Sequence, residues 1–533
     1  MKTISTSIYT FEDLITGGCL YVDKTEYMYR LITTPKGQFF CSRPRRFGKS
    51  LTVSTLDAIF KGKRELFDGL YIAGTDYDWR KYPVIHLDFA REITSSKDSL
   101  DESLSASLKN IAGLYGIDNL PEEGAALIFR ELIRKLKVKH DADVVILIDE
   151  YDKPILDHMD SFDEAEEMRG FMDEFFQVIK GSEPDIRFTF ITGVTKFAKV
   201  SIFSKLNNLD DITMREEYAE MFGYTDAELR YNFAEYIGEA SEKNSQSSEE
   251  LISEIKRWYD GFLFNENVET VYNPVSIGSF FNNGYKFKNY WFSTGTPTFL
   301  TKLLRRNHLI HADFDNVLMS ESSFDVFDVV ELSGDNVSNE RLLQMLYQTG
   351  YLTIDKLIRE KPRRIFKLKF PNYEVESSFN ENLTGIYARP DSVNSCVNAI
   401  VTAADSGNTE ALIVTIKTFF ASLSYDIQIK EEKYYQSMFF AICKLSGMDI
   451  DTEVTTNIGR IDAVLKAVGH VYIIEFKLNS TEDSAFNQID EKKYAEKYIL
   501  PAKKTGDKVH KLGINFSYAD NIRNITGYRE EIV

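Results

Sequence analysis

A chain of 533 residues exceeds one ordinary hydrophobic core, so roughly two to four domains are expected. With 43% apolar and 27% charged residues and a formal net charge of −19, it reads as a soluble cytoplasmic protein and not as one that coats duplex nucleic acid over its whole surface. No apolar run approaches the ~20 residues of a membrane span, MKTISTSIYTFEDL shows no secretory leader, and Cys19, Cys41, Cys396 and Cys443 form no C-x-x-C pair suited to zinc or a disulfide framework.

Residues 1–240 alternate short apolar runs with amphipathic stretches. The runs are GQFFCS (37–42), VIHLDFA (84–90), VVILID (144–149) and IRFTFITG (186–193). Continuous apolar strands spaced by helical patterns predict a parallel sheet buried on both faces, an α/β arrangement. The first strand runs into SRPRRFGKS (42–50), which ends like a phosphate loop. The pattern G-x-x-x-x-G-K-[ST] asks for glycine at position 43. This chain has Arg43 there, followed by Pro44, Arg45 and Arg46. The strand before and the helical pattern KSLTVSTLDAIFKG after supply the context such a loop needs. Gly48 would admit backbone N–H groups to a β-phosphate, Lys49 would neutralise phosphate charge, and Ser50 would ligate Mg²⁺. Arg45 or Arg46 would reach phosphates or a partner.

Two further elements favour a nucleotide fold over a cationic surface turn. VVILIDEYDKP (144–154) is a buried strand ending in acids. Asp149 is placed to hold the water shell of Mg²⁺ and Glu150 to polarise an attacking water. IRFTFITG ends near Thr192, a polar tip suited to the γ-phosphate or the water, with Lys196 and Lys199 just beyond. ATP is the expected nucleotide.

Residues 241–385 are mostly helical in pattern and rich in aromatics, with WYDGF (258–262) read as lid packing and YNPVSIG (272–278) as a turn. The block closes on the strand-like pieces QTGYLTID (348–355) and RIFKLKFP (364–371), a helix-then-hairpin order of winged-helix type. Here KLIREKPRRIFKLK (356–369) sets seven Lys/Arg against one Glu. It reads first as a solvated hairpin, and it is also the best local nucleic-acid contact in an acidic chain. The last domain, 386–533, begins with a helical connector to about 430.

GRIDAVLKAVGHVYIIEFKLN (459–479) reads as a hairpin turning at AVGH, so that Lys466 pairs with Val471. Counting outward, Asp462 falls opposite Glu475, and Lys477 shares their face. Opposed carboxylates repel unless a cation lies between them. This D…E-x-K arrangement suits a phosphodiesterase in which Asp462 and Glu475 hold Mg²⁺ or Mn²⁺ and Lys477 assists. The preceding amphipathic helix offers a further acid, Glu432 (Glu431 second), and the following helix offers Gln488. Three strands, a helix and a final strand, HKLGINFS (510–517), complete the block.

YVDKTEY (21–27), SRPRRFGKSL (42–51), LIDEYDKPI (147–155), ITGVTKFAKVSIFSKLNNLDDIT (191–213) and YWFSTGTPTFL (290–300) resemble the AAA-ATPase-like family of anaerobic gut bacteria. Members usually carry a C-terminal PD-(D/E)XK nuclease-like domain. The resemblance covers nearly the whole chain and implies that R-P-R-R-F-G-K-S is a family trait. It implies nucleotide and Mg²⁺ roles for Lys49, Ser50, Asp149 and Glu150, and a family motif at Asp23 and Lys24. Family members often read Tyr-His-Ser where this chain has Tyr435-Gln436-Ser437. The expectation is an ATPase fused to a metal-dependent nuclease acting on DNA or RNA, with no membrane partner and with homo-oligomers compatible. The alternative is a nucleotide-gated switch or DNA-binding regulator whose nuclease fold is silent.

Overall fold

The computed structural model describes residues 1–533 except 160, 197–208, 292–316, 325–337, 388–389, 424–429, 457 and 520–521. Lys199, part of ITGVTKFAKVSIFSKLNNLDDIT and most of YWFSTGTPTFL therefore lie outside the described residues. Two compact units are present. The first holds the described residues of Met1–Phe299 and Leu318–Val375, the second those of Leu300–Val317 and Glu376–Val533. No helix among the described residues is long and apolar enough to cross a membrane.

In the first unit, β1 (Gln38–Ser42), β2 (Val84–Asp88), β3 (Val144–Asp149), β4 (Ile186–Gly193) and β5 (Asp210–Asp211) form a parallel sheet in the order β2-β3-β4-β1-β5. The four apolar runs are its four long strands. All residues of β1 and β3 are buried, as a sheet covered on both faces requires. The edge strand β5 was not readable, because two aspartates carry no strand pattern. Helices Lys49–Phe60, Lys97–Leu114, Ala125–His140 and Phe162–Gly181 cover the sheet. Strand β4 lies between β1 and β3, so the loop after β1 and the acids after β3 emerge at the same carboxyl edge, one strand apart.

The middle block has the expected helix-then-hairpin order. Helix Asn339–Thr349 precedes β7 (Thr353–Arg359) and β8 (Ile365–Lys369), and a short β6 (Leu318–Ser320) makes a three-stranded sheet in the order β6-β8-β7. One boundary differs from expectation. Gln348 and Thr349 finish the helix, and Gly350 closes it at φ +89°, with Tyr351 N–H returning to the Leu346 carbonyl.

The second unit carries helices Pro390–Asp405, Thr409–Ser422 and Glu432–Leu445 and a mixed sheet in the order β13-β12-β11-β10-β9. Its strands are β9 (Asp449–Thr455), β10 (Arg460–Ala467), β11 (His470–Leu478), β12 (Lys508–Ala519) and β13 (Ile522–Ile532). Helix Glu482–Glu491 follows β11 and supports the sheet. Helix Glu496–Thr505 and β13 extend past what the sequence predicted. Pro501 obscures the helix, and β13 buries only Ile525, so it lacks an apolar signature.

Candidate nucleotide and metal sites

At the carboxyl edge of the first sheet lies a cavity of about 940 Å³. Arg45, Arg46, Gly48, Lys49, Ser50, Asp149 and Glu150 line one side, and Ile8, Tyr9, Tyr21, Tyr224 and Val275 line an apolar side. Gly48 sits at φ +89°, a left-handed conformation at the helix N-terminus that glycine adopts without a Cβ penalty. Lys49 opens the helix, and its buried ammonium donates to the carbonyls of Arg43 and Pro44, 3.0 Å each. Burial lowers its pKa, while Glu150, Asp149 and Asp152 oppose that shift.

Asp149 ends β3 and is 2% exposed. It accepts the Glu150 backbone N–H at 3.0 Å and a bond from the Ser50 hydroxyl. Burial pushes its carboxyl up to about 6, against the pull of Ser50 and Lys49. Glu150 stands at φ +50°, a strained turn for a residue with a side chain, and borders the cavity. Ser50, Asp149, Lys49 and Glu150 thus converge.

Thr192 does not join them. It is fully buried in β4, and its hydroxyl donates to the Cys41 carbonyl of β1 at 2.8 Å. Lys196 is turned to Asp211 at 2.6 Å. Asp23 lies just before the helix Thr25–Ile32, accepting Thr25 N–H at 2.8 Å and its hydroxyl at 2.7 Å, and also holds Tyr71 N–H at 2.6 Å. The Lys24 ammonium, buried, binds Glu228 at 2.7 Å and the Glu220 carbonyl at 2.8 Å.

In the second unit, the hairpin register is the counted one. Lys466 pairs with Val471 and Ala463 with Ile474, which sets Asp462 and Glu475 at the next opposed position. Asp462 accepts the Phe476 N–H at 2.8 Å. Glu475 is 1% exposed, and its Oε1 receives Gln488 Nε2 and lies 3.5 Å from Lys477 Nζ. Its Oε2 is buried with no hydrogen-bond partner. Desolvation and the Asp462 charge push the Glu475 carboxyl up to about 8, while Lys477 pulls it down. Glu432 begins its helix and accepts the Leu478 N–H at 3.0 Å, tying helix to strand. All five sequence-predicted residues therefore gather around the end of β11.

Residues 5–203 match a family model described as a predicted AAA-ATPase, and residues 430–525 match the PD-(D/E)XK nuclease superfamily. A protein of Azotobacter chroococcum mcd 1, named only as an uncharacterized protein in the vnfD 5′ region, is 34% identical over 537 residues, 99% of this chain and 98% of its own. The chain belongs to the predicted AAA-ATPase-like family with a C-terminal PD-(D/E)XK nuclease domain.

The contacts of two residues of this AAA-ATPase-like chain were not foreseen from the sequence. Arg43, 1% exposed, occupies the missing-glycine position but turns away from the cavity. Its guanidinium donates to the carbonyls of Ser42 (2.9 Å), Thr213 (2.7 Å) and Tyr218 (3.3 Å) and lies 4.1 Å from the centre of the Phe264 ring. Asp152, the third acid of DEYD, accepts the N–H groups of Val194 (3.0 Å) and Thr195 (2.7 Å) and the Thr195 hydroxyl (2.6 Å). It fixes the loop after β4 beside the acids after β3. Three acids within four residues hinted that one is structural, but not which.

Proposed function

We propose that the chain is a Mg²⁺-dependent ATPase joined to a metal-dependent nuclease, and that nucleotide state governs cleavage of nucleic-acid phosphodiesters. The observation that carries the nuclease half is Glu475 Oε2, a buried carboxylate oxygen without a partner beside a second carboxylate. Ionising that carboxyl beside Asp462 without a partner costs free energy, which a bound cation would recover. Among the described residues no three His, Cys, Asp or Glu side chains form a cage, so the donor set is two carboxylates, which suits Mg²⁺ completed by water and substrate phosphate. When bound, the cation supplies charge neutralisation and an acidified water.

The protein's own residues do the rest. The Phe476 N–H holds Asp462, and Gln488 holds Glu475 Oε1, leaving Oε2 as the oxygen without a partner. Lys477, 3.5 Å from Glu475, would balance their charge and stabilise charge developing on the scissile phosphate. Glu432 anchors the helix carrying Gln436 to β11. At the other site, the phosphates would replace the Arg43 and Pro44 carbonyls as partners of Lys49. Ser50 and Asp149 would hold Mg²⁺, and Glu150 would orient the attacking water. Arg45 and Arg46 border the same cavity and complement phosphate charge.

The test is cleavage of single- and double-stranded DNA and RNA by the full chain with Mg²⁺ or Mn²⁺, with and without ATP. Asp462→Ala should abolish the product, and cleavage that persists in it refutes the assignment. A second reading, a nucleotide-gated switch with a silent nuclease fold, is favoured by Gln436, which is 8% exposed in the helix facing β11, at the position where the family resemblance implies histidine. ATP binding with no cleavage under any metal would select it.

A further inference from the structure

The hairpin β7–β8 serves neither site, yet it concentrates positive charge in an acidic chain. Two of its cations are neutralised: Arg364 pairs with Glu266 and Glu321, and Lys369 with Asp355 at 3.1 Å. Lys356, Arg359, Lys361 and Arg363 are exposed, and their side chains have no ion-pair or hydrogen-bond partner among the described residues. Ile358 stands among them, 49% exposed. Four cations against the single carboxylate of Glu360 leave three net positive charges within eight residues, and a polyanion relieves their repulsion.

The tip projects from a fixed base. Ile354, Phe366 and Leu368 are buried, and the Phe366 ring packs 5.3 Å from Phe324, which packs 4.5 Å from Tyr347. The root of β7 also meets the phosphate loop. Gly350 lies against Pro44, where an added Cβ would come within 2.6 Å of the proline ring. Tyr351 packs 5.2 Å from Trp291, whose indole N–H donates to the Arg45 carbonyl at 3.2 Å. Gln348 accepts the Lys196 N–H at 2.9 Å.

We infer that this hairpin is a docking wing for double-stranded nucleic acid, with Lys356, Arg359, Lys361 and Arg363 on the phosphates and the root of β7 relaying the contact to the phosphate loop. The inference rests on the nucleic-acid reading of the preceding section. Two features select a duplex. A two-stranded ribbon fits a major groove about 12 Å wide. Single strands are held by stacking on aromatic side chains, and the tip KLIREKPRR has none.

The test is fluorescence anisotropy of the full chain with a labelled 30-bp DNA duplex, the same sequence as duplex RNA, and the single strand, in EDTA from 50 to 200 mM salt. In the K356A/R359A/K361A/R363A variant, duplex affinity should fall at least 100-fold. The slope of log K against log salt should flatten by about 0.9 per lost contact, ~3.6 for four. R359K/R363K should retain binding, which separates charge loss from misfolding. In Mg²⁺, basal ATPase of the quadruple variant should equal wild type, and its stimulation by duplex should disappear. Unchanged affinity and slope in the quadruple variant, preference for the single strand, or no duplex binding by wild type each overturns the wing. Wing-dependent binding by a wild type that cuts nothing supports the wing and removes the nuclease reading, so the two failures are distinguishable.

Discussion

Arg43 stands where phosphate loops of this pattern begin with glycine, and its partners explain why the position tolerates it. Three backbone carbonyls and an aromatic face receive the guanidinium, so the side chain braces the loop from behind. Arg43→Gly would restore the familiar pattern and yet destabilise the chain. The loss of charge-assisted bonds and the void should cost about 3 kcal/mol, read as a lowered midpoint in urea unfolding. A midpoint at or above wild type would show that the brace contributes nothing. Glu374 offers a pH test at the same scale. It is buried, accepts Trp291 N–H and the Ser276 hydroxyl at 2.7 Å each, and burial raises its carboxyl from 4.5 to about 7. Its folded pKa exceeds the unfolded one, so the native state binds the extra proton and this group's stability is present below pH 4.5. That stability is lost as pH rises toward 7. Glu374→Gln keeps the Trp291 N–H bond through its carbonyl, reverses the Ser276 bond so that the amide donates to the hydroxyl oxygen, and removes the ionisation, so it should raise the melting temperature at pH 8 and leave it nearly unchanged at pH 4.5. Equal shifts at both pH values would refute the assignment.

Among the elements, those with continuous apolar runs were legible from sequence and those defined by distant partners were not. Of the four long strands of the first sheet, β1, β3 and β4 bury nearly every residue and β2 buries three of five, and these continuous apolar runs made their type and parallel packing legible. The β10–β11 hairpin was legible to the residue, because the turn at Val468–Gly469 sets the register and a one-residue slip would have reversed every face. Asp462, Glu475 and Lys477 could therefore be aligned by counting alone. Thr192 shows the limit. Its place at a strand end was readable, but its bond to the neighbouring strand depends on β1 and β4 being adjacent, which no local pattern encodes. The role of Arg43 likewise depends on carbonyls some 170 residues away. Gly261 marks another position set by tertiary contact. It sits at φ +108°, and a Cβ there would lie 1.9 Å from the Pro371 carbonyl oxygen. Gly261→Ala should displace that crossing and cost at least ~3 kcal/mol, seen as loss of soluble protein or a strongly lowered melting temperature; a fully stable variant would mean the two segments can part freely.

For the whole molecule, the proposal of nucleotide-governed cleavage predicts an asymmetric pair of variants. Lys477→Ala should reduce cleavage at least 100-fold and leave ATP turnover intact, whereas Lys49→Ala should abolish turnover and also lower cleavage. Paired ATPase and cleavage assays decide it, and full cleavage by the Lys49 variant would mean the two activities are independent. The second sheet bears on how such a chain meets its partners. Among the described residues its rims, β9 and β13, pair with no further strand. They are lined with charge: Asp449 and Asp451 on one, Arg523, Arg529, Glu530 and Glu531 on the other. Ionised rims of this kind discourage a foreign strand from adding itself, because each new backbone pairing would have to bring charged side chains into register. The sheet is thereby insulated against runaway edge-to-edge growth. A protein that recognises this unit will find it easier to grip the surface of its helices or the end where β11 opens than to extend its ladder.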